Sequence, residues 1–148
     1  MGAVHRLAMP GDASRLHDVR RRSILELAPP KMPAEQAGTW AAQLTLLGMT
    51  RKLRELEIWI VEFDGTVAGW GAIRADCLEG LYTAPEFARR GVGAELLGML
   101  EGLMRERGVE AVRAEASSNA REFYFRRGYR TDGPQTPKGA WPITKPLR

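Results

Sequence analysis

A chain of 148 residues with 44% hydrophobic and 27% charged side chains has the balance of a folded protein rather than a disordered tail, and it is long enough for one core but short for two, so a single domain spanning 1–148 is expected. Twenty-two Lys and Arg against 18 Asp and Glu leave a net charge of +4, most of it on arginine, which favours an anionic partner: a phosphate-bearing cosubstrate or nucleic acid. The lone Cys77 excludes an internal disulfide, two histidines without a Cys/His cluster argue against a metal cofactor, and the lack of a leader-like start or a long apolar run points to the cytoplasm with no membrane partner.

Val4 to Ala8 reads as a first strand, and Pro10-Gly11-Asp12 as a turn with Asp12 placed to cap the next helix. Leu16, Val19, Ile24 and Leu27 give that helix an apolar face, and Pro29-Pro30 stops it. Its Arg20-Arg21-Arg22 run reads as solvated surface. Pro33 opens a second helix carrying Trp40, Leu44 and Leu47. Glu57 to Phe63 and Thr66 to Arg74 form a hairpin about Asp64-Gly65, and Leu78 to Thr83 is a third strand of that group.

After Pro85 comes a basic, glycine-containing turn, Ala88-Arg89-Arg90-Gly91-Val92-Gly93, leading into a helix with Leu96, Leu97, Leu100, Leu103 and Met104 on its buried stripe and Gly108 just past its end. Val109 to Ala116 is a strand, Asn119 to Arg127 a helix stopping at Gly128, and Tyr129 with Trp141 to Leu147 supply the last strands. The order βααβββαβαββ predicts an α/β (α+β) fold: a mixed sheet with helices on both faces.

The chemistry concentrates in the strand, turn and helix from Leu81 to Met104. Backbone amides in a helix's first turn lack helical partners and can bind anions, and Gly91 and Gly93 would let a pyrophosphate approach the main chain. The stretch satisfies neither G-x-G-x-x-G nor G-x-x-x-x-G-K-[ST], so a different phosphate ligand from those motifs is implied. By itself the turn is equally consistent with a tight strand-to-helix connection.

Leu81-Tyr82-Thr83-Ala84-Pro85 followed by Ala88-Arg89-Arg90-Gly91-Val92-Gly93 resembles the cofactor motif of the GNAT superfamily, [QR]-x-x-G-x-[GA] after a strand, with Ala88 replacing the usual Gln or Arg. Asn119-Ala120-Arg121-Glu122-Phe123-Tyr124-Phe125-Arg126-Arg127-Gly128-Tyr129 resembles the later motif A-x-x-F-Y-x-x-x-G-[FY]. The two blocks occur in the right order, separated by one helix and one strand. The resemblance covers about the last two-thirds of the chain and implies the GNAT fold, a twisted sheet whose fourth and fifth strands splay apart. It also implies acetyl-coenzyme A as cosubstrate and direct transfer to a primary amine.

By the same resemblance, the Leu81-Tyr82-Thr83 strand would bind pantetheine, through main-chain groups of Leu81 and Thr83. Arg89, Arg90, Gly91, Val92, Gly93 and Ala94 would hold the pyrophosphate, and Asn119 would flank the pantetheine arm or else cap its helix. Tyr124 would protonate the departing thiolate. Glu79, the nearest strand-borne carboxylate, is a candidate base for the amine, on one face with Leu81 and Thr83 if the strand alternates regularly. Cys77 reads as a small buried hydrophobe. The alternative function is a non-catalytic acyl-coenzyme A binding domain, against which Tyr124 argues. A nucleic-acid partner is disfavoured for want of a recognisable motif. A small-molecule or peptide amine is the expected partner, and a homodimer is left open.

Overall fold

The computed structural model describes residues 2–29 and 31–148. Its strands are β1 (Val4–Leu7), β2 (Glu57–Phe63), β3 (Thr66–Arg74), β4 (Cys77–Thr83), β5 (Ala111–Ala116), β6 (Arg130–Thr131) and β7 (Trp141–Pro146). They form one sheet in the order β1-β2-β3-β4-β5-β7-β6, antiparallel throughout except between β4 and β5. The parallel step needs a crossover, which α4 (Val92–Glu106) supplies. The β2–β3 hairpin turns as expected, with φ of 51° at Asp64 and 79° at Gly65, the left-handed pair that a two-residue hairpin loop requires.

Helices cover both faces. On one, Leu96, Leu97, Leu100 and Met104 of α4 pack with Val61, Ile73, Leu78 and Val112, joined by Tyr124 from α5 (Arg121–Phe125). On the other, Leu16 and Val19 of α1 (Ala13–Leu27) meet Ile58, Ile60 and Trp70. The seven buried residues at the centre of β3 record this double cover: a strand enclosed on both faces loses its polar alternation.

Three expectations change. The predicted second helix is two, α2 (Ala34–Ala42) and α3 (Leu46–Glu55). Thr45 divides them, because its hydroxyl accepts the Gly48 amide at 3.0 Å and so caps α3, while Leu44 and Leu47 fall on opposite sides of the break. Asp12 stands at the start of α1, but its carboxylate accepts the Met9 amide at 2.7 Å and the Arg6 guanidinium at 2.8 Å instead of capping α1. The Arg6 hydrogen bonds hold that carboxyl well below the usual carboxylate range. The Arg20-Arg21-Arg22 run is not all surface, since Arg20 is 7% exposed. The first helix ends at Leu27, ahead of the predicted Pro29-Pro30 stop, of which Pro30 lies outside the described residues. Among the described residues no helix is long and apolar enough to cross a membrane.

Candidate active site

β4 and β5 are paired only at Cys77–Arg113 and Leu78–Ala114, and beyond that point they part. The edge of β4 that β5 leaves bare can be identified from its other edge. Ala84 N donates to Ala68 O of the neighbouring chain segment, and main-chain groups alternate along a strand. Tyr82 therefore turns its N–H and C=O toward β3, while Leu81 and Thr83 turn theirs into the gap. Only Leu81 and Thr83 of the predicted trio present main-chain groups to the gap.

At the end of β4 the chain makes a short 3-10 turn, Pro85–Phe87, then enters α4 through Gly91. Gly91 has φ +80°, the left-handed region that explains glycine there, and a Cβ on it would meet nothing within 4 Å. The first helical bond of α4 runs from Glu95 N to Gly91 O, so the amides of Val92, Gly93 and Ala94 have no helical partner. Gly93 lies against α5 and β4: a Cβ on it would make ordinary contact with the Phe123 ring at 3.4 Å and with Thr83 Oγ1 at 3.5 Å. Arg89 and Arg90 are exposed beside this turn. The helix start, the end of β4 and α5 therefore meet at one point.

On the other side of the gap lies a cleft of about 1280 Å³ between α2, β4, β5 and the loop before β7. Trp40, Met32 and Tyr82 give it apolar walls, and Glu79 and Glu115 line it where the two strands part. Glu79 departs from the expected alternation. The β3–β4 register shifts between Ala72, opposite Gly80, and Ile73, opposite Leu78, which leaves Glu79 as the extra residue of a bulge. In consequence Glu79 faces the cleft with Tyr82, whereas Leu81 packs toward α4 with Leu97 and Leu100. Glu79 also receives a 3.4 Å contact from Arg74.

Tyr124 is 8% exposed, and its hydroxyl has no hydrogen-bond partner among the described residues. Burial, with a smaller contribution from Tyr82, pushes the phenol well above its ordinary range, so it stays protonated. Its ring is fixed edge-on between Phe123 and Tyr129, at centroid distances of 5.2 and 5.3 Å. Asn119 does not cap α5, whose cap residue is Ala120; its Oδ1 accepts the Ser117 hydroxyl at 2.6 Å. Cys77 is not the buried hydrophobe expected: it is half-buried, lines the cleft and contacts Asp76 and Arg113, and its partial burial raises the thiol, which does not suit a thiolate nucleophile.

Sequence reasoning missed that Glu115, Trp40 and the side chain of Tyr82 line the cleft. Glu115 could have been found by the argument used for Glu79, since it lies one residue beyond the last β4–β5 pair. Trp40 reads in sequence as part of an apolar helix face, and only the packing of α2 over the cleft separates it from core.

A family model described as the acetyltransferase (GNAT) domain matches residues 29–144. The chain belongs to the GNAT acetyltransferases. Over 134 residues it is 28% identical to the uncharacterized N-acetyltransferase YafP of Escherichia coli, covering 89% of this chain and 85% of that protein. A GCN5-related N-acetyltransferase from Rhodopseudomonas palustris superposes with a TM-score of 0.89 at 25% identity, covering 99% of this chain and 96% of that one. The PaiA N-acetyltransferase of Thermoplasma acidophilum, solved in complex with coenzyme A, has the same fold, with a TM-score of 0.82 at 20% identity and 99% of each chain covered. The protein is accordingly an acetyl-coenzyme A dependent N-acetyltransferase, with a GNAT fold of mixed sheet and flanking helices.

Proposed function

We propose that this acetyltransferase, working as one domain, receives its cosubstrate in the β4–β5 gap and a primary amine from the cleft beneath α2. The observation that carries this reading is the parting of β4 and β5 after Leu78–Ala114, which opens the gap onto the cleft. The residues present fit the cosubstrate. Leu81 and Thr83 offer main-chain groups to the pantetheine amides, the amides of Val92, Gly93 and Ala94 offer donors to the pyrophosphate, and Arg89 and Arg90 add positive field. Asn119 flanks the same arm.

The bound cosubstrate supplies an acetyl group as a thioester. The amine must lose a proton as its nitrogen attacks, and Glu79 is positioned at the parting of the strands to accept it, directly or through a water. The departing sulfur gathers negative charge, and the Tyr124 hydroxyl donates a hydrogen bond to it. A raised phenol is a reliable donor but a reluctant acid. Its contribution is therefore a hydrogen bond that stabilises the charge gathering on sulfur, with the proton passing to the thiolate as the thiol forms.

Coenzyme A calorimetry combined with a thiol-release screen of small amines, amino acids and peptides tests the assignment. Tight binding with turnover of at least one amine is the expected result. Retention of coenzyme A binding in a variant with Val and Glu at Gly93 and Gly91 would place the cosubstrate elsewhere.

A further inference from the structure

Arg20 is separated from its neighbours by what it touches. Arg21 and Arg22 pair with Asp18 at the surface, and Arg22 also with Glu86. Arg20 turns inward, is 7% exposed and meets no carboxylate among the described residues. Its Nη1 donates to Ala41 O at 3.2 Å, its Nε donates to Tyr82 Oη at 3.3 Å, and its guanidinium carbon lies 5.6 Å from the Tyr82 ring centroid. A largely buried guanidinium without a counter-charge is costly, so its position needs a compensating role.

Tyr82 is the group through which Arg20 reaches the cleft. The ring is held against Trp70 at a centroid distance of 4.9 Å, and Trp70 is itself anchored by a 3.0 Å bond from Nε1 to Leu16 O. Arginine is a donor only, so its N–H fills a lone pair of Oη and the phenol's own hydrogen must seek an acceptor elsewhere. Among the described residues it finds none, and the side chain lines the cleft beside Trp40 and Gln43. None of the cleft's carboxylates is hydrogen-bonded to the Tyr82 hydroxyl. Glu35 sits two turns before Gln43, about 12 Å along α2 at the usual rise, Glu79 and Glu115 stand where the strands part, and Asp132 is on the loop before β7.

We infer that the Tyr82 hydroxyl, positioned by Arg20, is a specificity-determining donor for a carboxylate on the acceptor, so that the enzyme selects amines that also carry a carboxyl group. The inference rests on the reading that the cleft takes the acceptor. The amine end belongs to Glu79 and Glu115, and the anionic end belongs to the Tyr82 corner, where the guanidinium behind the phenol strengthens its donation to an anion.

Matched sets of α- and ω-amino acids, their amides and their decarboxylated amines test it, with thiol release followed for the wild type and for Tyr82→Phe, Arg20→Met and Arg20→Lys. The wild type is expected to prefer acid over amide over decarboxylated amine in kcat/KM. Tyr82→Phe keeps the ring and is expected to cut the acid-to-amine selectivity ratio by about tenfold, chiefly through KM, the size of one hydrogen bond to a charged group. Arg20→Met moves the ratio the same way and Arg20→Lys restores part of it, a pattern that loss of packing alone does not produce. An unchanged ratio in Tyr82→Phe, or a wild type indifferent to the carboxyl group, overturns the inference while leaving the cleft as acceptor site. Coenzyme A binding with no acetylation in any set would overturn the acceptor cleft itself, and this inference with it.

Discussion

In the proposed arrangement the two sides of the β4–β5 gap would present their ligands with different kinds of group. On the proposed donor side the hydrogen-bonding groups are mostly main chain: the outward edge of β4 at Leu81 and Thr83, and the first amides of α4. On the proposed acceptor side they are side chains drawn from α2, β4, β5 and the loop before β7. A main-chain cradle constrains sequence mainly through backbone conformation, which Gly91 with its φ of +80° marks at the start of α4. A side-chain cradle can be rebuilt from other residues without disturbing the sheet, so one fold can keep its donor and change its acceptor.

Tyr124 is the donor-side exception, a side chain asked to act at the reacting sulfur. If it does, Tyr124→Phe will lower the single-turnover rate about 100-fold, the lower end for positioned acid–base groups, with coenzyme A affinity unchanged. Because burial holds the phenol above its ordinary range, the wild-type rate should show no alkaline fall from this group up to about pH 10, the unperturbed tyrosine value. A wild-type rate in the Phe variant would remove Tyr124 from the chemistry at the sulfur.

Gly91→Glu puts a negative side chain in the open space before the α4 amides and is expected to weaken coenzyme A binding about tenfold by calorimetry. The position's φ of +80° strains any side chain, so Gly91→Asn serves as control, since Asn tolerates that region and adds no charge. Equal losses in both variants would assign the effect to strain and not to the anion.

The same contrast explains what could be read in advance. The hairpin about Asp64-Gly65, the turn at Gly91 and the stripe of α4 are local patterns, set by residues close in sequence, and each is where expected, save that Leu103 is only half-buried and Glu101 is buried on that helix. The acceptor side depends on contacts across long separations: Arg20 with Tyr82, Trp40 over β4, Glu115 beside Glu79. The bulge at Glu79 was hidden for a related reason. It is created by pairing with β3, and nothing in Cys77 to Thr83 alone announces an extra residue.

The break between α2 and α3 offers a smaller test on the acceptor side. Thr45→Ala removes the hydroxyl that accepts the Gly48 amide and is expected to cost about 1 kcal/mol, or a fall of about 2–4 °C in Tm for a chain of this size. If α2 is held over the cleft by its own packing, with Ala37 and Ala41 buried beside Ile24, acceptor KM will not move with that loss. A raised KM would show that the cap on α3 also sets the position of α2.

Glu79→Gln carries the smallest expected effect, about threefold, because a bulged, half-exposed carboxylate in contact with Arg74 is not an isolated base. The loss should be greatest at the low end of the pH range, where more of the acceptor is ammonium and a proton must be taken during attack, and should fade as the acceptor becomes neutral. Glu115 faces the same end of the cleft, so Glu115→Gln and the double variant decide how the work is shared. If either carboxylate can pass the proton through water, the double variant will lose more than the product of the single losses. If Glu79 alone acts, Glu115→Gln will leave the pH–rate profile unaltered and the double variant will match Glu79→Gln. A profile untouched in all three would remove both carboxylates from proton transfer, leaving them to bind the ammonium end of the acceptor, a role read in KM instead of kcat.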